Sequence, residues 1–482
     1  MPAPSPALLA ALSDLLGPAG FCDDTAVLAP WLTDWRGRIQ GLSAALLAPA
    51  DTAQVAAIVR LAAADRVPLV PQGGNSSTVG GATPPADGSA LLLSLRRMAR
   101  PPRIDVADAT ATVDAGVVLS DLHDAAAAHD LRFPLSLAAR GSATIGGLVS
   151  TNAGGVQVLR FGSMRALVLG VEAVLADGSI FRGLSSLHKD NRGYDLRQLL
   201  TGAEGTLGII TAATLRLVPA IGSRAVAWIG VDDPHAALIL LRRLDRATGS
   251  AIESFELIPA DGVSLVLRHI PGTRAPLATP TAWNILVEAT AAPGGLDPAD
   301  ALTIAIAAAI DGGIARDAVI ATSETQADAL WKLRETLPEA ERIDGMAAKH
   351  DIAVPVSAMP SFIQSTTAMI EAAHPGTRVL AFGHLGDGNI HFNVRAPAGV
   401  DSRHWVDTAG AAVMRDVHDR LAAVGGTISA EHGIGQVKLA ELVRTTDPVR
   451  LAMLRAIKTA LDPHGILNPG KLVPLAPSRA DP

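Results

Sequence analysis

Gly141-Ser-Ala-Thr-Ile-Gly-Gly-Leu-Val-Ser-Thr-Asn-Ala-Gly-Gly155 sets five glycines among Ser142, Thr144, Thr151 and Asn152. A packed core has no use for so much small polar surface. Such a run suits a backbone that a flat or anionic ligand approaches closely. Nearer the N-terminus, Pro71-Gln-Gly-Gly-Asn-Ser-Ser-Thr-Val-Gly-Gly81 follows directly on a short apolar strand over 67–70. Consecutive glycines reach positive φ and turn several N–H groups toward one point, an anion-binding nest at a strand end. The alternative for this loop alone is an ordinary Gly-rich turn. Toward the C-terminus a third loop, Gly202-Ala-Glu-Gly-Thr-Leu-Gly208, precedes an apolar strand over 209–218 that closes at Pro219. A strand over 167–176, turning at Asp177-Gly178 and returning through Ile180, lies between them. Asp51 and Thr52 open a helix with Val55, Ile58, Val59 and Ala62 on one face.

None of the three loops has the G-x-G-x-x-G spacing, which disfavours a dinucleotide site of the Rossmann kind. Gly465-Ile-Leu-Asn-Pro-Gly-Lys471 has P-loop spacing, but Leu472 stands where Ser or Thr must meet magnesium, and Pro469 removes a cradle amide. Composition excludes further classes. The 482 residues are 49% hydrophobic but only 3% aromatic, so alanine and branched aliphatics must fill the core. A net charge of −7 leaves no electrostatic footprint for nucleic acid or an anionic membrane. Cys22 is the only cysteine, so there is no intrachain disulfide and no thiolate cluster. The opening MPAPSPALLAALSDLLGPAG reads as a short helix after a Pro-rich start and lacks the basic region of a signal peptide. The apolar run 301–310, bounded by Asp300 and Asp311, falls far short of a membrane span. A cytoplasmic protein is the expectation.

The pattern changes after Arg224. Strand 225–231, helix 234–248, strands 251–258 and 283–289, helix 299–310 and strand 318–322 follow in β-α-β-β-α-β order. This is the ferredoxin-like arrangement, an antiparallel sheet with helices on one face, and it puts a domain boundary at 219–223. Residues 324–342 read as one helix despite Pro338, 349–354 as a strand, and 405–424 and 448–461 as helices. No internal repeat is present. Within this half, AFGHLGDGNIHFNV (381–394) is a strand, a Gly-Asp-Gly-Asn break and an alternating strand, with His384 and His391 flanking the break. Forty residues after His391 stands Glu431, a carboxylate, and beside it His432, a base. Two histidines and one acid form a three-ligand set for a catalytic zinc-type ion with one position open. On spacing alone, two unrelated histidines beside a turn fit as well.

The three Gly-rich motifs, PQGGNSSTVGG, GSATIGGLVSTNAGG and LHKDNRGYDLRQLLTGAEGTLGIIT, resemble the FAD-binding domain of vanillyl-alcohol-oxidase-type flavoproteins. That resemblance implies an α+β fold: a two-subdomain FAD-binding domain of this type, then a ferredoxin-like substrate domain and a helical C-terminal part. The divisions expected are a helical lead-in over 1–35, the FAD-binding domain over 36–220, the substrate- and metal-binding domain over 221–472 and a tail over 473–482. The FAD contacts it implies are Pro71, Gly73, Gly74, Asn75, Ser76, Gly80 and Gly81 in the first loop. They continue with Gly141, Ser142, Gly146, Gly147, Thr151, Asn152 and Gly154, then Glu204, Gly208 and Ile210, and Asn468 in the last motif. Some relatives attach the flavin through His or Cys of the first loop. This loop has neither, so FAD is expected to be non-covalent.

HLGDGNIHFNV, ISAEHGIG and HGILNPGK resemble the C-terminal domain of FAD-linked 2-hydroxyacid dehydrogenases, and the likeness covers 35–472. LHKDNRGYDLRQLL and WKLRE…KHDIAVP are most similar to the D-2-hydroxyglutarate dehydrogenases of that group. The resemblance implies a divalent metal, zinc first and manganese as the alternative, on His384, His391 and Glu431. It implies His432 as the general base, with Arg334 and Lys349 gripping substrate carboxylates as a planar fork and a point charge. Asn393, two residues beyond His391 on the same strand face, is placed to donate to the substrate or a ligand. The family sets a threonine four residues after that arginine, where this chain has Pro338. The hydroxyl and carboxylate of a 2-hydroxy acid chelate one metal together. The ion acidifies the hydroxyl, a neutral imidazole takes its proton, and the C2 hydrogen leaves as hydride to the flavin.

The function expected is an FAD- and metal-dependent dehydrogenase turning D-2-hydroxyglutarate into 2-oxoglutarate, with D-lactate, D-malate and glycolate as alternative substrates. A metal-dependent hydrolase and a non-catalytic nucleotide-binding module are the readings from other classes. The expected partners are a small 2-hydroxy acid, an electron acceptor such as electron-transfer flavoprotein or a quinone, and a second copy in a homodimer. Neither nucleic acid nor a membrane is expected as a partner.

Overall fold

Ser5 and Asp51 set the first two long helices by capping them. Ser5 accepts from the Leu8 amide at 3.1 Å and starts α1 (Pro6–Gly20), and Asp51 accepts from the Gln54 amide at 2.8 Å and starts α2 (Thr52–Ala64). The computed structural model describes residues 3–474. The chain forms two units. The first takes the residues up to Gly155, Gly162–Val218 and the chain from Glu431 on, and the second takes Val156–Phe161 and Pro219–Ala430.

In the first unit β1 (Phe21–Cys22), β2 (Leu46–Leu47), β3 (Leu69–Gln72) and β4 (Leu91–Ser94) form a sheet in the order β1-β2-β4-β3. β4 runs parallel to both neighbours. Leu12 of α1, with Val55, Ile58, Val59 and Ala62 of α2, buries its side chains against Leu47, Leu69, Leu91 and Leu93. Five further strands, β5 (Arg103–Asp105), β6 (Thr110–Asp114), β7 (Val168–Val174), β8 (Ile180–Gly183) and β9 (Ile209–Arg216), form an antiparallel sheet in the order β5-β6-β9-β7-β8. The β7–β8 hairpin turns at Asp177-Gly178, where Gly178 has φ +78°. The run 141–155 is not all loop: its middle winds into α3 (Ile145–Thr151), closed by left-handed Asn152 at φ +50°.

Residues from 431 on pack with this first unit, although the expected substrate domain runs to 472. The physical reason is a return strand segment: the Leu69 amide donates to the Ile466 carbonyl at 2.8 Å, and Leu69 pairs with Leu467 in parallel register. Buried Lys458 anchors the same return, donating to Asp462 and to the Thr206 and Leu467 carbonyls. The expected tail 473–482 lies outside the described residues from 475 on.

The second unit is built on β10 (Ser223–Val231), α4 (Pro234–Ala247), β11 (Ile252–Pro259), α5 (Ala260–His269), β12 (Trp283–Ala291), α6 (Pro298–Asp311) and β13 (Asp317–Ile320). It continues with α7 (Glu324–Glu335), α8 (Leu337–Asp344), β14 (Ala347–Ala353), α9 (Met359–Ala373), β15 (Arg378–His384), β16 (Asn389–Arg395) and α10 (Ser402–Val424). The sheet order is β13-β10-β12-β11-β15-β16-β14, antiparallel throughout. The first four strands have the ferredoxin-like order, and the hairpin around the Gly-Asp-Gly-Asn break plus β14 extend the sheet to seven.

Two expectations need correction here. Helices do not cover one face only: Trp228 and Leu286 pack with α5, α7 and α8, while Ala227, Ile229, Ile285 and Val287, at the alternate positions, are also fully buried. The helix expected over 324–342 breaks at Thr336, because Pro338 has no amide to donate and suits only the first turn of a new helix. Among the described residues no helix is long and apolar enough to cross a membrane.

Candidate active site

In the first unit, the ends of β3, α3 and β9 and the loops beyond them enclose a cavity. Its empty space, counted out to the solvent mouth, is about 1330 Å³. The loop 71–81 and the run 141–155 touch backbone to backbone along one wall. A Cβ on Gly73 would stand 2.0 Å from Thr144 Oγ1, and one on Gly74 would stand 1.7 Å from the Ser142 carbonyl oxygen. No other residue fits at either position. Of the expected FAD contacts, Pro71, Gly73, Gly74, Asn75, Ser76, Gly81, Gly146, Gly147, Thr151, Gly154, Glu204, Ile210 and Asn468 line this cavity.

Gly80, Gly141, Ser142, Asn152 and Gly208 are not on its wall, and four of them have packing roles. Gly80 abuts Ile39 and Gln436, Ser142 bears on Gly74, Gly208 packs near Leu200, and Asn152 accepts from the Ser163 hydroxyl and the Arg165 amide. Gly141 has no neighbour that a Cβ would meet.

Glu431 and His432 also line the cavity. The residues that follow them are fixed by Glu204, whose buried carboxylate accepts from the Ile434 and Gly435 amides at 2.7 Å each. Burial pushes the Glu204 carboxyl up, against the pull of those amides and of Lys438 and Lys471. Lys471 is itself held down at about 8 by burial, with Glu204 acting the other way. Asn468 bonds across the cavity floor, donating from Nδ2 to the carbonyls of Gly81 and Glu204 at 3.0 and 2.7 Å.

These walls fit FAD. Gln72 Oε1, Thr78 Oγ1, Thr144 Oγ1 and Asn468 Oδ1 are buried without a hydrogen-bond partner, and all four residues line the cavity. Buried polar atoms in a folded protein ordinarily have partners, so a polar ligand explains all four at once. A Cβ on Gly147 would meet the Thr144 hydroxyl oxygen at 3.4 Å, and one on Gly81 the Ser77 hydroxyl oxygen at 3.3 Å and the Glu204 carboxylate at 3.9 Å, so a side chain at either position would crowd the polar wall.

In the second unit the strand register gathers the polar residues. His384 stands opposite Glu256 and Asn389, His391 opposite Phe382 and Asp351, and Asn393 opposite Lys349 and Leu380. Opposed residues share a face, so Glu256, His384, His391, Asn393, Asp351 and Lys349 all lie on one side of the sheet. The His384 and His391 rings meet edge to face, 5.5 Å between centroids. His384 donates from Nδ1 to Glu256 at 2.5 Å, which fixes the tautomer carrying its lone pair on Nε2. Arg334 of α7 donates from Nε to the same carboxylate at 2.7 Å and lies 5.1 Å over the Phe382 ring. Burial pushes Glu256 up, but the His384 ring and the Arg334 guanidinium hydrogen-bonded to it pull the carboxyl down to about 2. Asp351 Oδ1 stands 4.0 Å from His391 Nδ1. The Asp351 carbonyl accepts from Ala430, the residue just before Glu431.

A second buried carboxylate holds the other expected substrate residues. Glu341 of α8 takes Lys349 at 2.7 Å and the Asn393 amide at 2.9 Å, both on Oε2.

Residues 43–183 match the family described as "FAD binding domain", and residues 222–472 match "FAD linked oxidases, C-terminal domain". The chain belongs to the FAD-linked oxidases. This FAD-linked oxidase is 38% identical over 442 residues to the D-2-hydroxyglutarate dehydrogenase of Xanthomonas citri pv. viticola, covering 91% of each chain. It is 36% identical to the mitochondrial D-2-hydroxyglutarate dehydrogenase of Bos taurus (97% of this chain, 83% of the relative) and 33% identical to that of Arabidopsis thaliana (96% and 80%). Among solved structures, p-cresol methylhydroxylase with substrate bound and 4-ethylphenol oxidase from Gulosibacter chungangensis each cover 96% of both chains. Their TM-scores are 0.72 and 0.71 at 17% and 20% identity, which places the fold with the vanillyl-alcohol-oxidase-type enzymes.

The sequence reading missed Glu256, Glu341 and Asp351. Asp351 had a signal, since it stands two residues from Lys349 and alternation puts both on one strand face. Glu256 and Glu341 had none, because only pairing between distant segments gives either a partner. One prediction arises from the cavity wall, where His432 is the sole histidine and no cysteine occurs. Acid precipitation of the FAD-linked oxidase is expected to release all of its yellow colour into the supernatant. Flavin left on the pellet would mean a covalent bond.

Proposed function

We propose that this FAD-linked oxidase is a metal-dependent dehydrogenase of D-2-hydroxy acids, oxidising the 2-hydroxyl to a 2-oxo group. D-2-hydroxyglutarate to 2-oxoglutarate is the conversion that the names of its relatives put first, and D-lactate, D-malate and glycolate are the other candidates. The observation that carries the reading is the pair of imidazoles on the second unit's sheet face, with His384 locked by buried Glu256 so that Nε2 is the ligating nitrogen. Two such imidazoles and a carboxylate suit a divalent ion, zinc first, and we assign it to His384, His391 and Glu431. Bound there, the ion would act as a Lewis acid on the substrate's hydroxyl and carboxylate and lower the hydroxyl pKa. When bound, FAD supplies the two-electron acceptor for the hydrogen that leaves C2 as hydride.

The chain's own residues do the rest. His432, beside Glu431 on the cavity wall, takes the hydroxyl proton. Arg334, stacked on Phe382 and braced by Glu256, holds its guanidinium in one orientation for a substrate oxygen. Asn393, fixed by Glu341, is set on the same face as His391. Family membership stands against the hydrolase and binding-module readings. The electrons are expected to pass to an acceptor such as electron-transfer flavoprotein or a quinone, and the enzyme to work as a homodimer. A cytoplasmic setting belongs to the same proposal. The plant and cattle relatives are named mitochondrial and the Xanthomonas relative is not.

A substrate panel tests it. Under anaerobic conditions D-2-hydroxy acids are expected to bleach the flavin band near ~450 nm and to drive reduction of an artificial dye, while the L-enantiomers do neither. If no 2-hydroxy acid bleaches the band, the dehydrogenase reading falls.

A further inference from the structure

Glu341 is a fully buried carboxylate on α8, next to the residues expected to recognise the far end of the substrate. A second substrate carboxylate desolvated there needs an uncompensated cation. Neither cation assigned to that task is uncompensated. The Lys349 ammonium is 2.7 Å from Glu341 Oε2, and Arg334 Nε is 2.7 Å from Glu256 Oε2. Both carboxylates are wholly buried, while the Lys349 side chain is 30% exposed, so Glu341 needs Lys349 more than Lys349 needs a ligand. Asn393, a candidate donor to the substrate, also gives one of its two Nδ2 hydrogens to Glu341. Glu341 Oε1, moreover, is buried without a hydrogen-bond partner. An acceptor of that kind is satisfied by a donor and repels an anion. Pro338, in the first turn of the same helix, brings neither a hydroxyl nor an amide that would offset this.

We infer that Glu341 tunes the substrate class: the site is built for D-2-hydroxy monocarboxylic acids whose far end is uncharged and donates a hydrogen bond, and it discriminates against a second carboxylate. The inference rests on the dehydrogenase reading and narrows it. Glu341 acts as a specificity-determining residue by holding Lys349 and Asn393 and by offering Oε1. A hydroxyl or a primary amide is a matching tail.

The probe pair is D-2-hydroxyglutarate and its C5 monoamide, which have the same shape and differ in one carboxylate against one amide. Anaerobic flavin reduction and dye-coupled kcat/KM are measured for both with the flavin-loaded enzyme. The wild type is expected to favour the amide by at least about tenfold, the scale of one charge-assisted hydrogen bond gained or lost. Glu341→Gln removes the charge with little change of shape and leaves Lys349 uncompensated. It is expected to move the ratio toward the diacid by roughly ten- to a hundred-fold, chiefly through KM. A wild type that prefers the diacid overturns the inference without any variant. So does a folded, flavin-loaded Glu341→Gln whose ratio is unmoved. If the diacid wins while D-2-hydroxy acids still bleach the flavin, only this inference falls. If no hydroxy acid bleaches it, the dehydrogenase reading falls as well.

Discussion

His384→Ala is expected to abolish hydroxyacid-driven flavin reduction while the protein keeps its full load of FAD. The two outcomes separate because His384 belongs to the second unit, whereas the cavity that fits FAD is lined by residues of the first. A Lewis acid contributes several kcal/mol at the transition state, so losing its ligand lowers turnover on the order of 10³-fold or more. The variant retains the ion pair of Glu256 with Arg334 at 2.7 Å, so the buried carboxylate keeps a partner and the sheet is expected to fold. Metal analysis of the purified variant should show less than stoichiometric zinc or manganese, with an unchanged flavin-to-protein ratio. Chelation of the wild type should reproduce the defect, and added Zn²⁺ or Mn²⁺ should reverse it. A metal-free wild type that turns over at the full rate would remove the metal from the chemistry and leave His384 and His391 a structural pair.

The second large effect is expected at His432. Removing a positioned general base lowers rates by about 10²–10⁴-fold, and His432→Ala should show this in kcat with KM nearly unchanged. Glu204 holds the amides of Ile434 and Gly435 in the variant as in the wild type, so the loop keeps its place and flavin binding is expected to persist. The pH profile distinguishes a base from a positioning residue. A neutral imidazole that must accept a proton makes kcat/KM rise with pH through its own titration, and that acid limb should vanish in the variant. A variant that keeps the acid limb at lower overall activity would assign His432 to positioning, and another group would then take the proton.

Glycine chemistry, caps and alternation act over a few residues and were legible in the chain. The loop 71–81 needs glycine where it meets the run 141–155, at Gly74 against the Ser142 backbone and at Gly73 against the Thr144 side chain, and that need is written locally. Asp51 announced its helix for the same reason, as a side chain that accepts from an amide three residues on. The order of strands from 223 to 320 also followed from local pattern, and so did the hairpin that carries His384 and His391, but the helix Ala260–His269 between β11 and β12 was not read from it. The break at Thr336 was equally local, since Pro338 marks it, and a helix drawn through that proline disregarded a lost amide.

What the chain alone did not decide is which charges meet. Glu256 pairs with His384, 128 residues away, only because β11 lies beside β15 in the sheet. Glu341 captures Asn393, 52 residues away, only because α8 packs over the face that β16 presents. The sequence by itself therefore determined the cofactor family, the Gly-rich cradle and the residue types available for catalysis. The tertiary structure alone decided how Arg334 and Lys349 are neutralised, because an ion pair depends on distance in space and on burial, and neither is a property of separation along the chain.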